Sequence, residues 1–359
     1  MAELTAAAPS TARPIDDLGV RRDFPLLRRE VHGHPIVYLD SASSSQRPQA
    51  VLDAMRDYEE TTHANVHRGV YAIAEEATRR FEAARAAVGR FIGAPDPAHE
   101  VVFTKNATEA LNLVAHSWGR SNLDPGDVIV LTEMEHHANI VPWHILAAER
   151  DLEIRWIPVD EEGRLVLADL DRLLDGAKVL GVTCMSNVLG TVNPVAELAD
   201  AAHEAGAVVV ADGAQSVPHL VTDAPALGVD FLAFSAHKML GPTGIGALWG
   251  RREILESLPP FLGGGEMILD VRKDGFVPNE IPWRFEAGTP PIAEAVGLAA
   301  AVEYLYGLGM PAVRQHERAL TDYALAALRD RYPDLVIHGP LDTTVRGGVI
   351  SFNYKDVHP

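Results

Sequence analysis

From Val101 onward, short apolar runs alternate with longer amphipathic stretches, and this alternation constrains the fold more than any other feature of the chain. Val101 to Thr104, Val128 to Thr132, Ile154 to Pro158, Val179 to Thr183, Val208 to Ala211 and Phe231 to Ser235 are rich in β-branched and apolar residues. Strands with such continuous apolar character are buried on both faces, as in a parallel sheet covered by helices. Between them, Glu109 to Ser117, Pro142 to Arg150, Leu167 to Leu174 and Pro194 to Ala205 carry apolar residues at helical spacing, and Gly206 ends the last of these. The expected class is therefore α/β, a mostly parallel sheet sandwiched by helices. Thr289 to Tyr306 and Pro311 to Arg331 are further expected helices, and Leu335 to His338 and Gly348 to Asn353 further expected strands. The expected organisation is a mobile tail over residues 1–20, a large unit over 21–300 whose N-terminal segment contributes to the small unit, and a smaller, incomplete α/β unit over 301–359.

Composition removes several classes of function. Thirty-one basic against fifty acidic residues leave a net charge of -19, which argues against nucleic acid as a partner, because that affinity rests on clustered Lys and Arg. No run of about 18 apolar residues indicates a membrane span, and the N-terminal residues lack the basic and apolar regions of a signal peptide. A cytoplasmic location with no membrane partner is expected. The only cysteine is Cys184, so neither an intramolecular disulfide nor a Cys-rich metal site can form within the chain. It ends an apolar run in VLGVTCMSNV, the setting of a small buried side chain. The adjacent His136 and His137 have no cysteine or carboxylate pattern to complete a zinc set, and no metal is expected.

Lysine is scarce: only Lys105, Lys178, Lys238, Lys273 and Lys355 occur. Lys238 follows an apolar strand in FLAFSAHKMLGPTGIGAL, where desolvation would depress its pKa and free the amine as a nucleophile. A lysine snorkelling from a strand end would look the same in this window. Asp212 follows the strand in AVVVADGAQ, 26 residues earlier, which is about one crossover helix plus a strand. Both side chains can therefore reach the carboxyl rim of the sheet, where open α/β sheets bind ligands, although Asp212 would also serve as a helix cap or turn residue.

An amine and an acid on one rim match the needs of pyridoxal 5'-phosphate, which requires a lysine for its aldehyde, an acid at its pyridinium nitrogen and a phosphate cradle. In VVFTKNATEALNLVA a strand gives way to a helix whose first turn holds Ala107 and Thr108, and backbone amides there would suit a phosphate. Asn106 or Thr108 would equally be an ordinary N-cap. Ser235 and His237 could add donors, His136 could stack on an aromatic ring, and Asn187 and Gln215 follow two other strands and could bond a ring oxygen or simply satisfy a loop.

The segments YLDSASSSQRP, NVHRGVY, NATEALN, EHHANIVPWH, SNVLGT, DGAQS, FSAHKMLGPTGIGALWG and RFEAGTP occur in this order. Together they resemble the SufS-type (group II) cysteine desulfurases, within the class V aminotransferase superfamily of pyridoxal-phosphate fold type I (aspartate-aminotransferase-like). The resemblance runs from about Asp23 to Asn353. It implies that Lys238 holds the cofactor covalently and shuttles a proton, that Asp212 meets the pyridinium nitrogen, and that His136 stacks on the ring. Gln215 and Asn187 would lie near its phenolic oxygen or the substrate, and Ala107, Thr108, Ser235 and His237 near its phosphate. Thr289 would reach the phosphate of a neighbouring subunit in a homodimer, and Ala42, His67 and Arg68 would belong to the substrate pocket. The implied reaction releases sulfur from L-cysteine as an enzyme persulfide and leaves L-alanine. The sulfur then passes to an acceptor protein of iron-sulfur assembly.

The family's nucleophilic cysteine lies in a motif of the form RxGHHC beyond the last expected strand, and this sequence stops before such a motif. A C-terminally truncated member is expected, binding cofactor better than it turns over. A selenocysteine lyase acting on L-selenocysteine, another class V enzyme, or a non-catalytic pseudo-enzyme are the alternatives.

Overall fold

The computed structural model describes Ile15 and residues 19–357, so the tail expected over residues 1–20 lies almost wholly outside the described residues. The central sheet has seven strands: β1 (Val101–Thr104), β2 (Val128–Thr132), β3 (Glu153–Ile157), β4 (Ala177–Thr183), β5 (Val208–Asp212), β6 (Phe231–Ser235) and β7 (Gly246–Gly250). They lie in the order β1-β7-β6-β5-β4-β2-β3. Strand β7 pairs antiparallel with both its neighbours, and every other pairing in the sheet is parallel.

Strand alternation sends successive side chains to opposite faces, and both faces are buried. Leu180 and Val182 of β4 join one core with Val209 and Ala211 of β5, whereas Val179 and Val210 join the other. This two-sided burial is why the strands are apolar along their length, except at the sheet edge, where β3 is half-exposed and carries Glu153 and Arg155. Helices cover the first face: α1 (Gln49–Thr61) and α2 (Ala72–Phe91) pack on α6 (Ile292–Leu308), beside α5 (Val195–Glu204). On the second face lie α3 (Ala107–Leu113) and α4 (Val141–Arg150), whose Leu111 and Trp143 are fully buried. Helix α3 starts two residues before its expected start. The Asn106 side chain accepts from the Glu109 amide at 2.9 Å, and the Glu109 carboxylate accepts from the Lys105 amide, a reciprocal cap.

Helices α1 and α2 are not among the elements expected from the sequence. The buried stripe of α2 is built largely of Ala and a few large residues (Ala74, Ala77, Phe81, Ala84 and Val88), a weak hydrophobic signal, and α1 buries only Val51 and Tyr58. Strand β7 is likewise absent from the expected set, because glycines bound it at both ends. The Gly246 end needs its glycine: a Cβ there would lie 2.6 Å from the Phe234 carbonyl oxygen and 2.7 Å from the Asn106 Cα. The missing side chain lets the turn into α3 press against the end of β6.

Beyond α6, helix α7 (Met310–Arg331) leads to the antiparallel pair formed by Leu335–His338 and Ser351–Tyr354. Arg346 is fully buried there and is held by the carbonyls of Val349 and Pro340. Among the described residues no single helix is long and apolar enough to cross a membrane.

Candidate active site

The strand register sets the site. Thr183 at the end of β4 stands opposite Asp212 at the end of β5, which stands opposite Ala233 of β6. The carboxyl ends of β1, β2, β4, β5 and β6 thus form one rim, and a cavity of about 460 Å³ opens above it. Asp40, Ala42, Ser43, Asn106, Ala107, Thr108, His136, Thr183, Met185, Asn187, Asp212, Gln215, Ser235, His237 and Lys238 line it, with Ala138 and Ala214. Ten of the positions singled out from the sequence meet here although they are spread over nearly 200 residues: Ala42, Ala107, Thr108, His136, Asn187, Asp212, Gln215, Ser235, His237 and Lys238.

Lys238 ends a single turn of 3-10 helix after β6 and is half-buried, and that burial lowers its pKa while the charge of Asp212 opposes the drop. A larger fraction of neutral amine follows. Asp212 is buried, which pushes its pKa up, against the hydrogen bond from the Ala214 amide at 2.9 Å and the charges of Lys238 and His136. His136 accepts the Ala138 amide on Nδ1 at 3.1 Å, so the proton of the neutral ring resides on Nε2. Burial against the cavity floor lowers its pKa, although Asp212 raises it, which keeps the ring neutral.

Polar donors close the other end. The Ser235 hydroxyl oxygen accepts the Ala107 amide at 2.8 Å, leaving its own hydrogen to donate into the cavity. Gln215 donates to the Ala42 carbonyl at 2.8 Å, tying the segment 40–45 over the mouth. Ser45 fixes the turn carrying Lys238: its amide donates to the His237 carbonyl at 2.9 Å and its hydroxyl accepts from the Leu240 amide at 2.8 Å.

Three positions named from the sequence do not line this cavity, and of these Thr289 is expected at a neighbouring subunit's phosphate. His67 bonds Glu82 at 2.8 Å and Arg68 pairs with Glu266 at 3.0 Å, outside the cavity lining. Thr289 borders a separate cavity of about 390 Å³ with Lys105, Phe103 and Gly244. Cys184 is 5 % exposed and does not line the site, because Thr183 and Met185 on either side point into it and the thiol points away. Burial pushes its pKa up to about 12.

Sequence reasoning missed Asp40, Ser43, Thr183 and Met185 in the lining, as well as Glu135 below it. Only Glu135 carried a usable signal, as a carboxylate between the apolar end of β2 and the histidine pair. The others are recognisable only once the strand ends are aligned.

The fold and this site define a class: an open α/β sheet holding an amine, a buried acid and a polar cradle at its carboxyl rim, the layout of a pyridoxal-phosphate enzyme. The model of the aminotransferase class-V family matches residues 37–359, and the chain belongs to that family. A probable cysteine desulfurase of Streptomyces coelicolor is 50% identical over 351 residues, covering 96% of this chain and 84% of that protein. A cysteine desulfurase of Haloferax volcanii is 48% identical over 358 residues, covering 96% of this chain and 84% of that one. The apo structure of a cysteine desulfurase from Thermococcus onnurineus superposes with a TM-score of 0.90 at 39% identity, covering 98% of this chain and 85% of the other.

Proposed function

We propose that the chain is a pyridoxal-phosphate-dependent cysteine desulfurase of the SufS type, acting on L-cysteine. The observation that carries this reading is that the Lys238 amine, the buried Asp212 carboxylate and the His136 ring line one cavity and influence one another's charge.

The residues fit the cofactor by their donor chemistry. Lys238 is the only lysine among the described residues lining the cavity, and its lowered pKa favours the neutral amine that must take the aldehyde. Asp212 has one oxygen occupied by the Ala214 amide and keeps the other for the pyridinium N–H. The imidazole of His136 would lie on the ring face, with Asn187 and Gln215 at its edge. The Thr108 amide, the Ser235 hydroxyl and His237 would hold the phosphate beside Ala107, whose own amide orients the Ser235 hydroxyl, favoured by the start of a helical run that continues to Asn122. When bound, the cofactor supplies an electron sink that acidifies the Cα–H of an amino acid. Lys238, whose pKa burial lowers, would take that proton and return it, with the His136 imidazole beside it as a second catalytic group. Asp212 maintains the charge on the ring nitrogen, and the segment 40–45 limits water over the site.

Sulfur removal needs a thiolate, and Cys184 is turned away and protonated. The thiolate that takes the sulfur is therefore supplied from outside these 359 residues. The same observation supports a second reading, a selenocysteine lyase, which needs no attacking thiol. A homodimer completed by Thr289, an acceptor protein of iron-sulfur assembly and a cytoplasmic location belong to the same proposal, as do roles for His67 and Arg68 at the pocket mouth.

The test is reconstitution with pyridoxal phosphate. Wild type is expected to gain a visible absorption band that survives desalting and that Lys238→Ala lacks. L-cysteine and L-selenocysteine are then compared for L-alanine release. A wild-type protein without the band refutes the cofactor assignment, and release from selenocysteine alone selects the second reading.

A further inference from the structure

Below the cavity floor is a buried carboxylate with no part in the reading above. Glu135 lies in the loop after β2, immediately before His136, and is 7 % exposed. Its Oε1 accepts the Thr132 hydroxyl and the Thr183 amide, both at 2.6 Å, and its Oε2 accepts Asn139 Nδ2 at 2.8 Å. Thr132 ends β2, Thr183 ends β4 and lines the cavity, and Asn139 closes the 3-10 turn that His136 opens. One carboxylate thus grips both ends of the His136 turn and ties it to two neighbouring strands.

The direction of each bond is determined. Trp143 Nε1 has only a hydrogen to give, and it donates to Asn139 Oδ1 at 3.2 Å, so the Asn139 amide nitrogen must face Glu135. The Thr183 amide is a donor by nature. Glu135 therefore has to accept from two directions at once, as a carboxylate does and an amide cannot. Room for Asn139 comes from β4, where a Cβ on Gly181 would lie 3.2 Å from Asn139 Nδ2 and 2.6 Å from Leu131 Cδ2. Within the turn, the Asn139 amide donates to the His136 carbonyl at 2.8 Å, and the Ala138 amide to His136 Nδ1.

We propose that Glu135 is a positioning residue for His136: its carboxylate staples the turn between β2 and β4 and so sets the imidazole over Asp212 and Lys238. Burial pushes its pKa up, with Asp212 raising it further, against the bonds from Thr132, Asn139 and Thr183; those three converging donors favour the charged form, and the staple weakens as the group gains a proton.

The inference rests on the proposed role of His136, and its test separates the two. Glu135→Gln keeps the shape, yet whichever way the amide is turned it sets N–H against N–H, toward Asn139 or toward Thr183. In the cofactor-free chain, the Glu135→Gln substitution is expected to move the His136 ring and Ala138 amide resonances together with the Trp143 indole N–H. In the cofactor-loaded protein, the visible circular dichroism of the bound group should fall at least about twofold, as in His136→Ala, and kcat should drop on the order of 10- to 100-fold. KM should change far less. Unmoved His136 resonances overturn the proposal whether or not cofactor binds, as does an unchanged optical signal in a loaded variant. Absence of any cofactor band in wild type sinks only the functional reading. If Glu135→Gln does not fold, Thr132→Val removes one donor and keeps the charge, and it must move the His136 ring in the same direction by a smaller amount. No movement there refutes the staple.

Discussion

Replacing Glu286 with alanine is the sharpest test of how the scaffold is held together. Glu286 precedes the AGTP loop and accepts Arg85 Nη1 at 2.6 Å, Arg85 Nη2 at 2.9 Å and the Phe103 amide at 2.6 Å. Arg85, from α2, is fully buried, donates to the Val101 carbonyl at 2.8 Å, and has Glu82 as its second carboxylate partner at 2.8 Å. Its guanidinium also lies 4.8 Å from the Phe103 ring centre and 5.3 Å from that of Phe81. The truncation strands a buried guanidinium on one half-buried partner and leaves a strand amide unsatisfied. Breaking one side of a buried pair costs about 3–5 kcal/mol, and an orphaned amide about 1–3 kcal/mol. The two penalties overlap, so about 4 kcal/mol is expected. Urea unfolding of the cofactor-free chain, read as a shift in midpoint at constant slope, measures it. The double variant Arg85→Met with Glu286→Leu should recover part of the loss, because apolar side chains of similar volume can replace such a pair while the Phe103 amide stays unpaired. A single variant costing less than about 1 kcal/mol, or a double variant no better than the single, refutes the claim that a charged pair locks α2, β1 and the loop before Thr289.

Three further outcomes follow from the same geometry. Asp212→Asn should retain the cofactor band and lose about 100-fold in turnover, since an amide cannot neutralise a pyridinium charge in a dry site, and near-normal turnover would contradict that role. Burial works to raise the pKa of Glu82, but the hydrogen bond from His67 and the charge of Arg85 bring it from 4.5 down to about 2. Its stabilisation is therefore complete above about pH 5, is lost as the pH falls toward about 2, and amounts to about 3 kcal/mol. Urea midpoints between about pH 5 and about pH 3 should fall less in Glu82→Gln than in wild type. With its pKa near 12, Cys184 should resist Ellman's reagent at about pH 8 until urea unfolds the chain, and Cys184→Ala should leave cofactor binding intact; rapid native labelling would place the thiol wrongly.

Much of the fold is legible in local pattern. Strands β1, β2 and β6 begin and end where their apolar runs do, and β4 and β5 differ by at most two residues at an end, because a strand buried on both faces must be apolar along its length; β3 is displaced by one residue and, contrary to the two-sided burial expected for its run, is a half-exposed edge strand with Glu153 and Arg155. Helices α4, α5, α6 and α7 follow from helical spacing in the same way. The segments that escaped lack such contrast: α2 buries mostly alanine, and β7 is bounded by glycines, of which Gly246 serves close approach to Phe234 and Asn106.

The sequence by itself determined the class of the protein and most of its cavity. Lys238 and Asp212 stand out because a lysine and an aspartate beside apolar strands violate the ordinary rule for charged residues. The eight ordered segments point to the cysteine desulfurases, and the relatives carry the same name. Tertiary structure decided which side chains share a space. His67 and Arg68 belong to the same ordered segments as the cavity residues, and only the three-dimensional structure shows that they do not line it. Cys184 is one residue from a lining position, and only the strand direction turns it away. Glu135 became visible because three donors from Thr132, Thr183 and Asn139 converge on it. Convergence is a property of register between strands that are distant in sequence, and no local pattern encodes it.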